Sequence, residues 1–66
     1  MTTFRIYVRW PSQRVSNKTT TEEDAVAKFA FDELSKRAED FRQQGALGIT
    51  LSADGKQVNY VRLAEG

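Results

Sequence analysis

Arg5, Tyr7, Arg9, Arg14, Ser16 and Lys18 bring three guanidinium groups, one ammonium, one phenol and one hydroxyl into the first eighteen residues of the chain. Cations placed around an aromatic ring suit phosphates and bases, because the charges neutralise a phosphate backbone while the ring stacks on a base. The same array has a plainer use: outward strand positions are ordinarily polar, and Arg and Lys protect exposed sheet edges. Other chemistry is scarce. The chain has no His and no Cys, which excludes disulfides, zinc fingers, thiol nucleophiles and imidazole bases. Ser12, Ser16, Ser35 and Ser52 therefore lack the usual activating partner. Lys18 or Lys56 as a base would need a pocket that a core of this size hardly provides.

Acidic residues concentrate in the middle of the chain, at Glu22, Glu23, Asp24, Asp32, Glu33, Glu39 and Asp40. The spacings of Glu33 with Arg37 and of Lys36 with Asp40 fit i,i+4 ion pairs on a solvated helix face rather than paired catalytic carboxylates. Asp54-Gly55 reads as turn chemistry, since acids at the other positions of a calcium loop are missing. No catalytic residue, metal site or cofactor is expected, and the chain is read as a non-enzymatic binding module.

The elements that must position these side chains follow from periodicity. Phe4, Ile6, Val8 and Trp10 alternate with Arg5, Tyr7 and Arg9, which predicts a half-buried strand over 3–10. Turn chemistry at Pro11-Ser12-Gln13-Arg14 returns the chain as a strand over 15–20. A four-residue loop would pair Trp10 with Val15 and set Ser16 beside Arg9 and Lys18 beside Tyr7, so that Arg5, Tyr7, Arg9, Ser16 and Lys18 share the outward face with Arg14 at the loop. Thr20 and Glu23 have capping-box spacing, and Glu22, Glu23 and Asp24 put negative charge at the positive end of a helix dipole. The spacing of Val26, Ala27, Ala30, Phe31, Leu34, Ala38 and Phe41 predicts one long helix over 22–44 with a single buried face, closed by Gly45. Phe29 falls outside that face. Roughly 35 Å of helix outruns the sheet at 1.5 Å per residue, so Phe41 is expected at the rim.

Strands over 46–52 and 56–63 complete the chain, with Asp54-Gly55 between them. Two registers are open. A two-residue turn pairs Leu51 with Val58 and turns Val61 and Leu63 outward; it is favoured because it keeps Gln57 and Asn59 out of the core. A three-residue turn points Val61 and Leu63 at the helix and brings Tyr60 and Arg62 to the basic face. The expected fold is α+β: a ββαββ two-layer domain over residues 1–66, one mainly antiparallel four-stranded sheet with a single long helix across one face. The element order resembles the β-grasp arrangement of small immunoglobulin-binding bacterial domains, a likeness that implies nothing about activity.

Charge is segregated within a total of only +1. Residues 22–44 carry a net −3 and the rest of the chain +4, so acid gathers on the helix and base on the sheet. The run Phe4-Arg5-Ile6-Tyr7-Val8-Arg9-Trp10, a short turn, Arg14 to Thr21, and then Ala25, Ala27, Phe29 and Phe31 resembles, over residues 4–34, the arm-type N-terminal DNA-binding domain of phage tyrosine integrases. That resemblance implies a basic strand pair whose exposed face enters the major groove, with Arg5, Tyr7, Arg9, Arg14, Ser16 and Lys18 in DNA-facing positions. The chain departs from the family by adding a second hairpin after the helix. DNA or RNA is thus one expected partner. The other is a protein or a second copy, held by an apolar strip of Tyr7, Val61 and Leu63, by Phe29 away from the core, or by the acidic helix, which can imitate a nucleic-acid surface, in the manner of small phage or mobile-element adaptors or inhibitors. Charges break every apolar run at the N-terminus, so no membrane anchor is expected and cytoplasmic residence is the default.

Overall fold

A computed structural model describes residues 1–63, so the last three residues of the expected 1–66 unit lie outside the described residues. The elements are β1 (Phe4–Trp10), β2 (Arg14–Thr21), α1 (Asp24–Lys36), α2 (Ala38–Gln43), β3 (Gly48–Ala53) and β4 (Lys56–Arg62). They form an α+β fold whose four-stranded sheet has the order β2-β1-β3-β4 with every neighbouring pair antiparallel. The expected order of two strands, a helical segment and two strands is present, with β1 and β3 as the central pair and β2 and β4 at the edges. Helix α1 packs across β1, β2 and β3.

Both hairpins contain a bulge that the hydrophobic pattern does not announce. In the first, Trp10 pairs with Arg14 across a three-residue loop, and Val8 pairs with Ser16. Asn17 and Lys18 then both oppose Tyr7 before Ile6 pairs with Thr19. Asn17 takes the extra position at φ 54°, a left-handed conformation that its short amide tolerates better than most side chains. In the second hairpin Asp54 and Gly55, at φ 51° and 82°, make the favoured two-residue turn. Val58 is then the extra residue, because Ser52 pairs with Gln57 but Leu51 pairs with Asn59 and Ile49 with Val61. The two-residue turn and the three-residue facing therefore coexist. Leu63 is buried and Val61 half-buried against the core, which corrects the expectation that they face outward. Asn59 stays exposed on the edge strand, so no amide is buried by this register.

The expected single helix is broken in two. Thr20 is still in β2 opposite Arg5, so the Thr20–Glu23 capping box does not form; Thr21 Oγ1 accepts the Glu23 N–H at 3.1 Å instead. At the other end of α1 the Ser35 hydroxyl donates to the Phe31 carbonyl at 2.8 Å. Bonding of this kind to the preceding turn bends helices. Arg37 then leaves helical geometry at φ −101°, ψ 14°, with its N–H on Leu34 at 3.0 Å. Because the axis breaks there, α2 folds down over the Trp10 end of the sheet.

Phe41, expected at the rim, is consequently only 8% exposed, and its ring meets Trp10 edge-on with centroids 6.4 Å apart. Gly45, at φ +100°, closes α2: its N–H reaches the Arg42 carbonyl and the Ala46 N–H reaches that of Phe41. These are the two bonds of a Schellman cap, with Ala46 and Phe41 as its accompanying apolar contact.

Ile6, Val8 and Ile49 are fully buried at the centre. Trp10, Phe31 and Leu34 are half-buried against this core, and Phe31 and Leu34 join the cluster of Ile6, Ala27 and Leu51 to the one around Val8, Ile49 and Phe41. Val26, expected on the buried arc, is 40% exposed, and Phe29 is 66% exposed.

Candidate functional site

The sheet face opposite α1 is built in rows by the strand registers. Arg9, Gly48 and Arg62 are aligned across β1, β3 and β4, as are Tyr7, Thr50 and Tyr60, and Arg5, Ser52 and Gln57. β2 adds Val15 beside Arg9, Thr20 beside Arg5, and Lys18 opposite Tyr7. Arg5, Tyr7, Arg9, Gln13, Val15 and Lys18 line a shallow groove of about 390 Å³ between the first two strands.

Four of the six residues expected on a nucleic-acid face thus come together: Arg5, Tyr7, Arg9 and Lys18. Arg14 and Ser16 do not. The three-residue loop puts Arg14 opposite Trp10 and Ser16 opposite Val8, both on the helix side, because a one-residue change of register turns a side chain to the other face. Ser16 Oγ accepts the Trp10 indole N–H at 2.6 Å and donates to Asn17 Oδ1 at 2.9 Å. Arg14 borders a second cavity, of about 570 Å³, with Trp10, Pro11 and Gly45.

The other proposed strip also dissolves. Tyr7 is on the sheet face and Phe29 on α1, while Val61 and Leu63 pack inward. Tyr60 and Arg62 take the outward places, as the three-residue alternative required.

Tyr60 is held in a defined pose. Its hydroxyl donates to the Leu47 carbonyl at 3.2 Å, and its ring lies over Gly48, where a Cβ of any other residue would collide with the phenol. Glycine is thus demanded here by close approach and not by backbone angle. Thr50, between Tyr7 and Tyr60, is 2% exposed although it is on the face away from the helices, and its Oγ1 has no hydrogen-bond partner. An orphaned buried hydroxyl is destabilising by about 1–3 kcal/mol. Thr50→Val, which keeps the shape and removes the orphan, is expected to match or exceed the parent midpoint in urea unfolding.

No Asp or Glu occupies the aligned positions of this face, which carries Arg5, Arg9, Lys18 and Arg62. The side-chain ion pairs among the described residues are on the helices: Lys28 with Asp24, Lys36 with Asp32 and Glu33, and Arg42 with Glu39. These replace the expected Glu33–Arg37 and Lys36–Asp40 pairs, because the break at Arg37 destroys the i,i+4 geometry across it. Hydrogen bonds from Arg42 and then Gln43 hold the Glu39 carboxyl below its ordinary range, while Asp32 and then Glu33 raise the Lys36 ammonium.

Three of the four serine hydroxyls make structural hydrogen bonds. Besides Ser16 and Ser35, Ser52 is buried and donates to the Arg5 carbonyl at 3.4 Å, and Ser12 is an exposed loop residue at φ 65°. Asp54, expected in a turn, also ties that turn to β1, its N–H on the Thr3 carbonyl and its Oδ1 on the Thr3 N–H. Among the described residues no helix is long and apolar enough to cross a membrane, and no group of three metal-ligating side chains occurs. Comparison of the chain with known protein families, curated proteins and solved structures finds no match in any of the three.

Proposed function

We propose that this protein is a non-enzymatic module that binds nucleic acid on the outer face of its sheet. The observation that carries this reading is the concentration of Arg5, Arg9 and Lys18 around Tyr7, with Tyr60 in the same row, at aligned positions that hold no Asp or Glu among the described residues. Guanidinium groups pair with phosphate oxygens in bidentate fashion, and the ammonium of Lys18 adds a point charge. The acidic helices lie in the opposite layer, so their field does not oppose an approaching polyanion at close range.

The affinity should depend on salt. With Arg5, Arg9 and Lys18 each neutralising one phosphate, log K against log salt should have a slope near −2 on single strands or about −2.7 on duplex. Arg9→Ala should reduce the magnitude of that slope by about 0.7 to 0.9, and Arg14→Ala, on the helix side, should leave it unchanged. Fluorescence anisotropy of labelled oligonucleotides between 50 and 200 mM salt measures both. Equal effects of the two substitutions would place the contacts elsewhere.

A second reading, docking of a protein on α1, rests on Phe29 and Val26, exposed one turn apart. It predicts that Phe29→Ala weakens capture of that partner and leaves oligonucleotide binding intact.

A further inference from the structure

We infer that the nucleic acid taken by this face is single-stranded and crosses the strands, with one base stacked on Tyr60 and another on Tyr7. The inference rests on the nucleic-acid reading and names its ligand class.

Three observations lead to it. The first is the pose of Tyr60. A ring laid over Gly48 and fixed through its hydroxyl to Leu47 has one face against the sheet and the other turned away from it, so its rotamer is set before any ligand arrives. Stacking on such a ring requires an unpaired base, because in a duplex the base faces are already stacked on each other.

The second observation is width. Tyr7 and Tyr60 are in one row but on β1 and β4, two strand spacings or about 10 Å apart, and the four strands span about 14 Å before side chains are added. The major groove, about 12 Å wide, admits a helix or a two-stranded ribbon. The four-stranded face is thus wider than the groove that a two-stranded ribbon fills, so a duplex would engage only part of it. A single strand laid along the row can reach both.

The third observation is the placement of charge. Lys18 is at the β2 end of the tyrosine row, with Arg9 and Arg62 aligned on one side of it and Arg5 on the other. Phosphates on either side of a line of stacked bases would meet a cation. Thr50, whose hydroxyl is orphaned, is the β3 position between Tyr7 and Tyr60 in the register.

The test compares a 12-nucleotide mixed-sequence DNA strand, the RNA strand of the same sequence and the DNA duplex, titrated at 50 mM salt against the parent protein, Tyr60→Ala, Tyr60→Phe and Gly48→Ala. The parent should bind a single strand more tightly than the duplex, and the DNA and RNA arms tell which backbone is preferred. Tyr60→Ala should weaken single-strand binding roughly 5- to 150-fold, the loss of one stacked base. Tyr60→Phe should recover most of that loss. Gly48→Ala keeps every contact group but pushes the ring off its seat, and should weaken binding towards the Tyr60→Ala level while the salt slope stays as in the parent. Should Gly48→Ala fail to fold, the Tyr60→Ala and Tyr60→Phe pair decides alone. Duplex binding as tight as single-strand binding, or no effect of Tyr60→Ala, would overturn the single-strand assignment and leave nucleic-acid binding in place. No binding of any of the three nucleic acids would overturn the nucleic-acid reading itself.

Discussion

Phe41→Ala will remove most of the stability of the fold, about 3–5 kcal/mol, the usual loss when a buried Phe is truncated. Phe41 is the buried residue of α2, it closes the Trp10 end of the core edge-on, and its carbonyl receives the Ala46 N–H that ends the helix. A core in a domain of this size seldom supplies more than about 3–5 kcal/mol in total, so the variant should be largely unfolded at 25 °C. Phe29→Ala is the matched control. With its ring two-thirds exposed, Phe29 should change stability by about 0.5 kcal/mol or less. Urea titration followed by Trp10 fluorescence reads both variants. Near-parental stability of Phe41→Ala would mean that α2 does not cover the sheet end as described.

Replacing Arg5, Arg9 and Lys18 together with Ala should reduce the salt slope on single strands by about 2 and weaken binding at 50 mM salt by roughly 100- to 1,000-fold, since each phosphate contact is worth close to a factor of ten at that concentration. The fold should survive, because all three side chains are exposed and none is in an ion pair among the described residues. A cooperative melt at the parental midpoint checks this. A triple variant that binds oligonucleotides as the parent does would remove the electrostatic basis of the proposal.

The parts of the structure that were legible in the sequence are those in which a side-chain period spans a whole element. β1 was legible because four apolar residues alternate without interruption, and the buried face of the helical segment because Ala27, Phe31, Leu34 and Phe41 recur at helical spacing. What was not legible hangs on single residues. Asn17 and Val58 each insert one position into a strand, and with a period of two that is enough to exchange the faces. Val61 and Leu63 went inward, and Tyr60 and Arg62 outward, on the strength of Val58. Arg14 and Ser16 left the basic face because the first loop has three residues and not four. The helix break has a similar origin: Ser35 carries no apolar signal, yet its hydroxyl bond to Phe31 precedes the turn that buries Phe41. The basic face was readable where β1 alone carries it, at Arg5, Tyr7 and Arg9, and only partly readable where it depends on partners brought by a bulge.

The most direct measurement is a ¹H–¹⁵N correlation spectrum of the protein titrated with a single-stranded 12-mer. The backbone amides of Arg5, Tyr7, Arg9, Lys18, Thr50 and Tyr60 should shift together and saturate with one dissociation constant, while those of Val26, Phe29 and Asp32 on α1 stay in place. Shifts confined to α1, or scattered over both layers without saturation, would contradict the outer face of the sheet as the binding surface.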